Sequence, residues 1–308
     1  MHDTAREIAA ATLSKKAYDR RMRRLQRIRL IRAVVLICFF LSVLLLMASI
    51  QVNRIKIESV VFDGNLHYSD DALKEALTLQ VGDKMYRFDT QTVADALLAA
   101  CPYLQTAQIQ TSLSGTLRVH VSERTALWAL QYTDAQGQAA YVLLDGELFA
   151  LEYTKSAAES CVVVVGGIAL PAVGETLTEA AKRAEREYAA WLEAQEAEDT
   201  HTVPSYLAAA DKLGSMLYTL RDSYEDMAAA DAPTLLSLTQ DFDKTMTLRD
   251  GTIYLLGGAE QLSRQIAYAK AAVEKYRREG ATPSINSPLE VDLRDLSRVF
   301  VRQIPSIE

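Results

Sequence analysis

A long, uncharged and mostly apolar run over residues 33–52 limits the folds open to this chain more than any other part of the sequence. None of these twenty residues is charged, and thirteen of them are Leu, Ile, Phe or Val. A helix of about 20 residues, rising 1.5 Å per residue, crosses the ~30 Å hydrocarbon core of a bilayer. The run therefore predicts a single transmembrane helix over residues 33–53, with the lipid bilayer as a partner.

Charge is divided unequally on the two sides of this run. Residues 1–32 contain ten Lys or Arg and three acidic residues, a net charge of +7, whereas the remaining residues carry a net charge of −14. Because basic segments stay on the cytoplasmic side, we expect residues 1–32 to be a basic cytoplasmic tail. The remainder would lie outside, as in a single-pass type II protein of the cell membrane. The predicted membrane-orienting residues are Arg23, Arg24, Arg27, Arg29 and Arg32.

Two other interpretations of the N-terminal region are less favoured. The basic residues could bind nucleic acid electrostatically, but Tyr18 is the only aromatic residue among them, and they adjoin the apolar run. The region could also be a cleaved signal peptide, but the apolar part of such peptides normally has about 7–15 residues. The sequence thus favours contact with anionic lipid head groups and predicts no nucleic-acid partner.

Residues 54–124 follow the order strand, helix, helix, strand, strand. The first strand pattern ends at an Asp63-Gly64-Asn65 turn. Ser69 stands where the N-cap of the first helix is expected, and Pro102 ends the second helix. Alternating apolar residues then predict strands over residues 106–113 and 116–130. This order predicts a small α+β module with two helices on one face of a three-stranded sheet.

Four short motifs in this module make the pattern specific. They are Gly64-Asn65, Gly82, Cys101-Pro102-Tyr103 and Val119-x-Val121-x-Glu123-Arg124. With these motifs the module resembles a POTRA domain, and its position after a single apolar run resembles the bacterial cell-division family FtsQ/DivIB. Ala126 stands where the family often has a proline, so only the local turn departs from the resemblance.

The remainder of the chain resembles the second, β-rich domain of the same family. Hairpin patterns around Asp145-Gly146 and Asp250-Gly251 carry this part of the resemblance. The predicted fold class is therefore α+β: a single transmembrane helix, a POTRA-like domain and a larger β-rich domain with helices. The predicted domains are a tail at 1–32, the membrane helix at 33–53, a POTRA-like domain at 54–124, a β-rich domain at 125–304 with a helical insertion around 178–232, and a C-terminal tail at 305–308.

The resemblance implies a non-enzymatic scaffold that assembles and regulates the septal cell-division complex. The implied partners are small single-pass division proteins of the FtsL and DivIC/FtsB types, with other divisome components at the POTRA-like domain. The implied location is the cell membrane at the division septum.

The last strand pattern offers a partner-binding surface. In residues 298–302, Val299 and Val301 are expected to face inward, and Arg298, Phe300 and Arg302 outward. An unpaired edge strand can take up an extended segment of a partner, and Phe and Arg are enriched at interfaces. An equally weighted alternative is that this segment binds no partner. It would then be an edge strand whose two arginines only prevent aggregation. The candidate binding residues are Arg298, Val299, Phe300, Val301 and Arg302.

Two other function classes remain open. One is a membrane-tethered extracytoplasmic enzyme with a site in residues 125–304, and the other is a POTRA-bearing secretion or sporulation component. The four histidines are scattered, and the chain contains no HExxH, G-x-S-x-G or Walker A motif. We therefore predict no catalytic residues, no metal ligands and no cofactor.

Overall fold

The chain divides into two compact units. The first comprises Met1–Asp63, Leu77–Ala94 and Gln108–His120, and the second comprises Gly64–Ala76, Asp95–Ala107 and Val121–Glu308. The computed structural model describes residues 30, 32–47, 49, 55–166, 169–194, 205–224, 226–238, 244–258, 261–280 and 284–305.

The predicted fold class is wrong in its membrane-spanning helix. Within the described ranges, no helix combines the length and the apolar character needed to cross a membrane. Arg32, one of the predicted membrane-orienting residues, is exposed. The other predicted orienting residues, Arg23, Arg24, Arg27 and Arg29, lie outside the described residues.

The POTRA-like part of the chain contains a three-stranded sheet in the order β1-β3-β2. Strand β1 pairs with β3 in parallel register, with Val60 opposite Leu117. Its turn needs a glycine, because Gly64 has φ +93° and a Cβ atom there would lie 2.1 Å from the carbonyl oxygen of Val121. The elements are β1 Ser59–Asp63, α1 Asp70–Ala76, α2 Thr90–Ala100, β2 Leu104–Thr111 and β3 Thr116–Glu123.

The strand predicted over residues 116–130 is two strands in two different sheets. Strand β3 ends at Glu123, and β4 begins at Trp128 in the larger sheet. The chain is held at this break, because the N–H of Arg124 donates to the carbonyl oxygen of Tyr103 at 2.6 Å. Glu123 and Thr125 interrupt the apolar alternation of Val119 and Val121, but this interruption could not show that the chain passes into another sheet.

The larger sheet has nine strands in the order β12-β11-β10-β9-β8-β7-β4-β5-β6. Most neighbours are antiparallel, but β7 runs parallel to both β4 and β8, and β11 runs parallel to β10. The strands are β4 Trp128–Thr133, β5 Ala139–Leu144, β6 Ala150–Thr154, β7 Val162–Val165, β8 Pro233–Ser237, β9 Lys244–Leu248, β10 Ile253–Leu256, β11 Leu289–Asp292 and β12 Phe300–Gln303.

Three helices complete the main core on one face of this sheet. Helices α3 Leu177–Ala194 and α4 Tyr206–Ser223 lie within the predicted insertion, and α5 Leu262–Arg278 joins β10 to β11. Their apolar residues share one buried cluster with sheet residues such as Trp128 and Tyr254. This burial is the main driving force for the arrangement. A smaller cluster includes Tyr103, Ala129, Leu143, Leu151 and Cys161, whose sheet residues alternate with those of the main core.

Candidate partner-binding site

Strand β12 is an edge of the nine-stranded sheet. It pairs with β11 in antiparallel register, with Asp292 opposite Phe300 and Glu290 opposite Arg302. Among the described residues, no strand pairs with the other side of β12. An unpaired strand edge presents backbone N–H and C=O groups that can pair with another chain.

The backbone pairing shows which groups of β12 remain open. The N–H of Ile304 donates to the carbonyl oxygen of Pro288 at 2.9 Å. Because residues that bond to the neighbouring strand alternate along an antiparallel pair, Phe300 and Arg302 also direct their backbone groups toward β11. Val301 and Gln303 therefore direct theirs toward the open edge.

The side chains of the candidate segment divide between core and solvent. Val299 and Val301 are partly buried and pack against the main core. Phe300 points the other way and is 65% exposed, which is unusual for a phenylalanine. Arg298 is exposed as well. The segment thus presents one accessible aromatic ring beside an open strand edge.

The two arginines of the segment have different surroundings. Arg302 is paired with Glu290 on β11, with Nε 2.7 Å from Oε1. The hydrogen bonds of Arg294 hold the pKa of Asp292 below its ordinary value, and the positive charge of Arg302 acts in the same direction. This face of the edge therefore carries ionised groups of both signs around Phe300.

The opposite edge of the sheet, at β6, is partly covered. The N–H of Ala150 donates to the carbonyl oxygen of Glu175, and its carbonyl oxygen accepts from Gly174, at 3.0 and 2.9 Å. Phe149 forms an isolated bridge with Thr176. Because the chain itself occupies this edge, β12 is the more open of the two.

The motifs found in the sequence meet at a polar cluster in the second unit. The Glu123 carboxylate accepts hydrogen bonds from the N–H groups of Leu66, His67 and Tyr68 at 2.5–3.1 Å. Burial disfavours ionisation of Glu123, but these three donors outweigh it and lower its pKa. The ring of His67 stacks on Tyr103 with 3.7 Å between centroids. Glu123 thus fixes the loop that follows β1.

Arg124 forms the second half of this cluster. Its guanidinium lies 2.6 Å from the carboxylate of Asp145 and 4.3 Å from the ring centroid of Phe149. Asp145 is only 4% exposed, and its other oxygen accepts from the N–H groups of Glu147 and Phe149. The ion pair therefore stabilises the β5–β6 turn.

No role of this cluster was predicted from the sequence, although most of its residues belong to the motifs named above. The Glu123-Arg124 pair directly after an alternating strand, and the Asp145-Gly146 turn after the next hairpin, were the available signals. The spacing along the chain could not show that Arg124 and Asp145 form an ion pair.

A comparison with known protein families agrees with the POTRA-like part of this architecture. Residues 55–124 match the family model of the FtsQ-type POTRA domain. Over 103 residues, 33% of this chain, the sequence is 26% identical to the cell division protein DivIB of Clostridium botulinum strain Hall. The same figures hold for DivIB of the Loch Maree strain. The matched segment spans about 40% of the length of these relatives.

The chain carries an FtsQ-type POTRA domain. Together with the similarity to the two DivIB proteins, this match confirms the predicted resemblance to the FtsQ/DivIB family.

Replacing Arg124 tests the buried ion pair. Arg124→Met should lower the free energy of unfolding by about 3 kcal/mol, because it leaves a buried carboxylate without its cation. Urea denaturation of the variant and of the control Arg118→Met, which changes an exposed arginine, measures this difference. Equal losses in both variants would contradict the assigned role.

The Glu123 carboxylate should make stability depend on acid pH. A lowered pKa contributes stability that is present above the unfolded pKa of about 4.3 and lost as the pH falls through the folded value. Glu123→Gln should therefore cost about 1 kcal/mol at pH 7, since hydrogen bonds to a charged acceptor are stronger. The cost should shrink below about pH 4. Denaturation curves that differ by a constant amount between pH 7 and 3 would exclude this role.

Proposed function

We propose that this chain is a non-catalytic scaffold of the cell-division machinery at the division septum. The observation that carries the proposal is the open edge of β12 in a chain with an FtsQ-type POTRA domain. The scaffold would hold other division proteins together and regulate the septal complex through binding.

The proposed mode of binding is addition of a strand to β12. A partner segment in extended conformation would hydrogen-bond the outward backbone groups of Val301 and Gln303. Backbone bonds supply affinity that depends little on sequence, whereas side-chain contacts supply specificity. Phe300 is the proposed anchor. Its exposed ring would become buried under the partner strand, and aromatic side chains buried at an interface often dominate the binding energy.

The proposed partners are small single-pass division proteins of the FtsL and DivIC/FtsB types. The charged residues around Phe300 favour a partner strand that carries both an apolar side chain and charged neighbours. Arg298 would meet an acidic partner residue, while Arg302 is already paired with Glu290. Other divisome components at the POTRA-like domain are part of the same proposal.

A pull-down with the purified protein and membrane extract of its own organism tests the proposal directly. Mass spectrometry should identify small single-pass division proteins among the captured species. Their absence, with protein whose folded state is verified by circular dichroism, would contradict the scaffold function.

The side-chain contribution of the edge can be measured separately. Phe300→Asp should abolish capture of these partners, because it places a charge where an aromatic anchor is proposed. Its melting temperature should change little, since the side chain is exposed. Leu113→Asp is the matched control, because Leu113 is 74% exposed and lies in the other unit. If Phe300→Asp binds like the control, residue 300 is not the anchor.

A proline substitution isolates the backbone contribution. Gln303→Pro removes one outward N–H, and proline is tolerated where the N–H of an edge strand faces solvent. Partner affinity should fall about tenfold, the value of one hydrogen bond of ~1.4 kcal/mol. Gln303→Ala serves as the control in the same binding titration, because it keeps the N–H. Equal affinities for the two variants would rule out strand addition at this position.

A further inference from the structure

A basic cleft lies in the first unit, where the segment before β1 meets the loop between α1 and α2. Its volume is about 490 Å³. The N–H of Met85 donates to the carbonyl oxygen of Ile55 at 3.0 Å, and the N–H of Ile57 donates to that of Asp83 at 2.8 Å. Ile57 and Met85 are each only 1% exposed. Both walls of the basic cleft are therefore fixed by backbone bonds and by buried side chains.

Three cationic side chains are concentrated at this cleft. Lys56 and Lys84 stand directly opposite each other in an antiparallel bridge, and Arg87 lines the same cleft. The backbone hydrogen bonds lie on either side of the bridge, so the two lysines form a non-hydrogen-bonded pair, in which facing side chains come closest. Like charges at opposite positions of a strand pair are destabilising. An anion between them would remove this repulsion.

The chain itself does not neutralise these cations. Lys56, Lys84 and Arg87 are exposed, and within the described part of the chain none of them forms an ion pair. Asp83 is the one acid among the described lining residues, and its carboxylate accepts from the N–H of Gln80 at 2.8 Å. Three cations and one carboxylate leave a net charge of +2 in a chain whose overall net charge is −7. The cleft therefore attracts anions.

Apolar side chains accompany the cations. Leu79 and Phe88 line the cleft and are partly buried. Val81 and Tyr86 belong to the same loop and are 66% and 38% exposed. Basic residues beside exposed apolar and aromatic side chains are typical of surfaces that lie at a membrane–water interface.

A second exposed apolar surface in this unit favours lipid over a soluble anion. The large apolar side chains of residues 34–47 are exposed, with Phe40 at 69%, and this segment belongs to the same unit as the cleft. Exposed apolar surface of this extent marks a site of contact with lipid or with another protein. An anionic phospholipid supplies both components that the cleft requires, a phosphate for the cations and acyl chains for the apolar residues.

We propose that the basic cleft docks this chain on an anionic lipid surface. A head-group phosphate would lie between Lys56, Lys84 and Arg87, and Val81 and Tyr86 would contact the acyl region. The site is separate from the proposed scaffold function and does not depend on β12.

Photocrosslinking of the full-length chain on vesicles tests this docking. Val81→p-benzoylphenylalanine places a photoreactive group beside the cleft, and Ile285→p-benzoylphenylalanine, at a 78% exposed residue of the other unit, is the matched control. On vesicles of phosphatidylcholine and phosphatidylglycerol in equal parts, mass spectrometry should find phosphatidylglycerol adducts at position 81 and few at position 285. Equal yields at the two positions, or crosslinks at position 81 to a second copy of the chain in place of lipid, overturn the proposal.

A charge reversal shows whether the cations hold the lipid. Lys84→Glu should lower the adduct yield at position 81 about tenfold, because one basic residue near an anionic surface contributes about fivefold and the new carboxylate is repelled. Its melting temperature should not fall, since an attractive pair with Lys56 replaces a repulsive one. Lys155→Glu makes the same change at an exposed lysine of the other unit and should leave the yield unchanged. Equal yields for the two variants overturn the proposal.

Two further conditions separate anionic lipid from other ligands. Vesicles of phosphatidylcholine alone should give few adducts at position 81, because they carry no net charge; a yield equal to that of the mixed vesicles would contradict the role of the cations. Excess glycerol phosphate should leave the adduct in place, because it brings no acyl chain. If it removes the adduct, the cleft binds a soluble phosphate ester and the docking proposal fails.

Discussion

The ion pair between Asp145 and Arg124 is the interaction on which the polar cluster and the β5–β6 turn depend. A carboxylate as buried as that of Asp145 needs a full set of donors, and it has them in Arg124, Glu147 and Phe149. The turn that it organises holds Leu148 at φ 62°, a conformation that costs a non-glycine residue about 1–3 kcal/mol. Leu148 is nevertheless buried in the main core. Burial and the Asp145 hydrogen bonds together offset this strain.

The two edges of the nine-stranded sheet differ in how far the chain covers them, so one edge is closed to a partner strand and the other is open. At β6 the chain covers its own edge through hydrogen bonds to residues 174 and 175. At β12 the inward valines join the core while Phe300 remains exposed. An open edge is a risk of aggregation, and the ion pair of Arg302 with Glu290 places charge beside it. The same charges can select among partners.

Much of the architecture was predictable because apolar alternation and turn residues are local signals. The POTRA-like order and the Asp145-Gly146 hairpin were visible in this way. The strand break after Glu123 was not, because the bonds that stop β3 come from Tyr103 and from residues 66–68, distant in sequence. The transmembrane helix predicted over residues 33–53 was wrong, because no helix in the described part of the chain is long and apolar enough to cross a membrane.

The position of the two insertion helices has a consequence for folding. Strand β7 pairs with β8 in parallel register. The strands β4–β7 and β8–β12 therefore join into one sheet only after the loop of 67 residues between β7 and β8 has closed. Contacts between residues so far apart in sequence slow folding, because the loop must be closed before they form. Helices α3 and α4 lie within this loop and bury apolar residues in the main core. Their docking shortens the effective loop, which makes the insertion a determinant of how fast the sheet is completed.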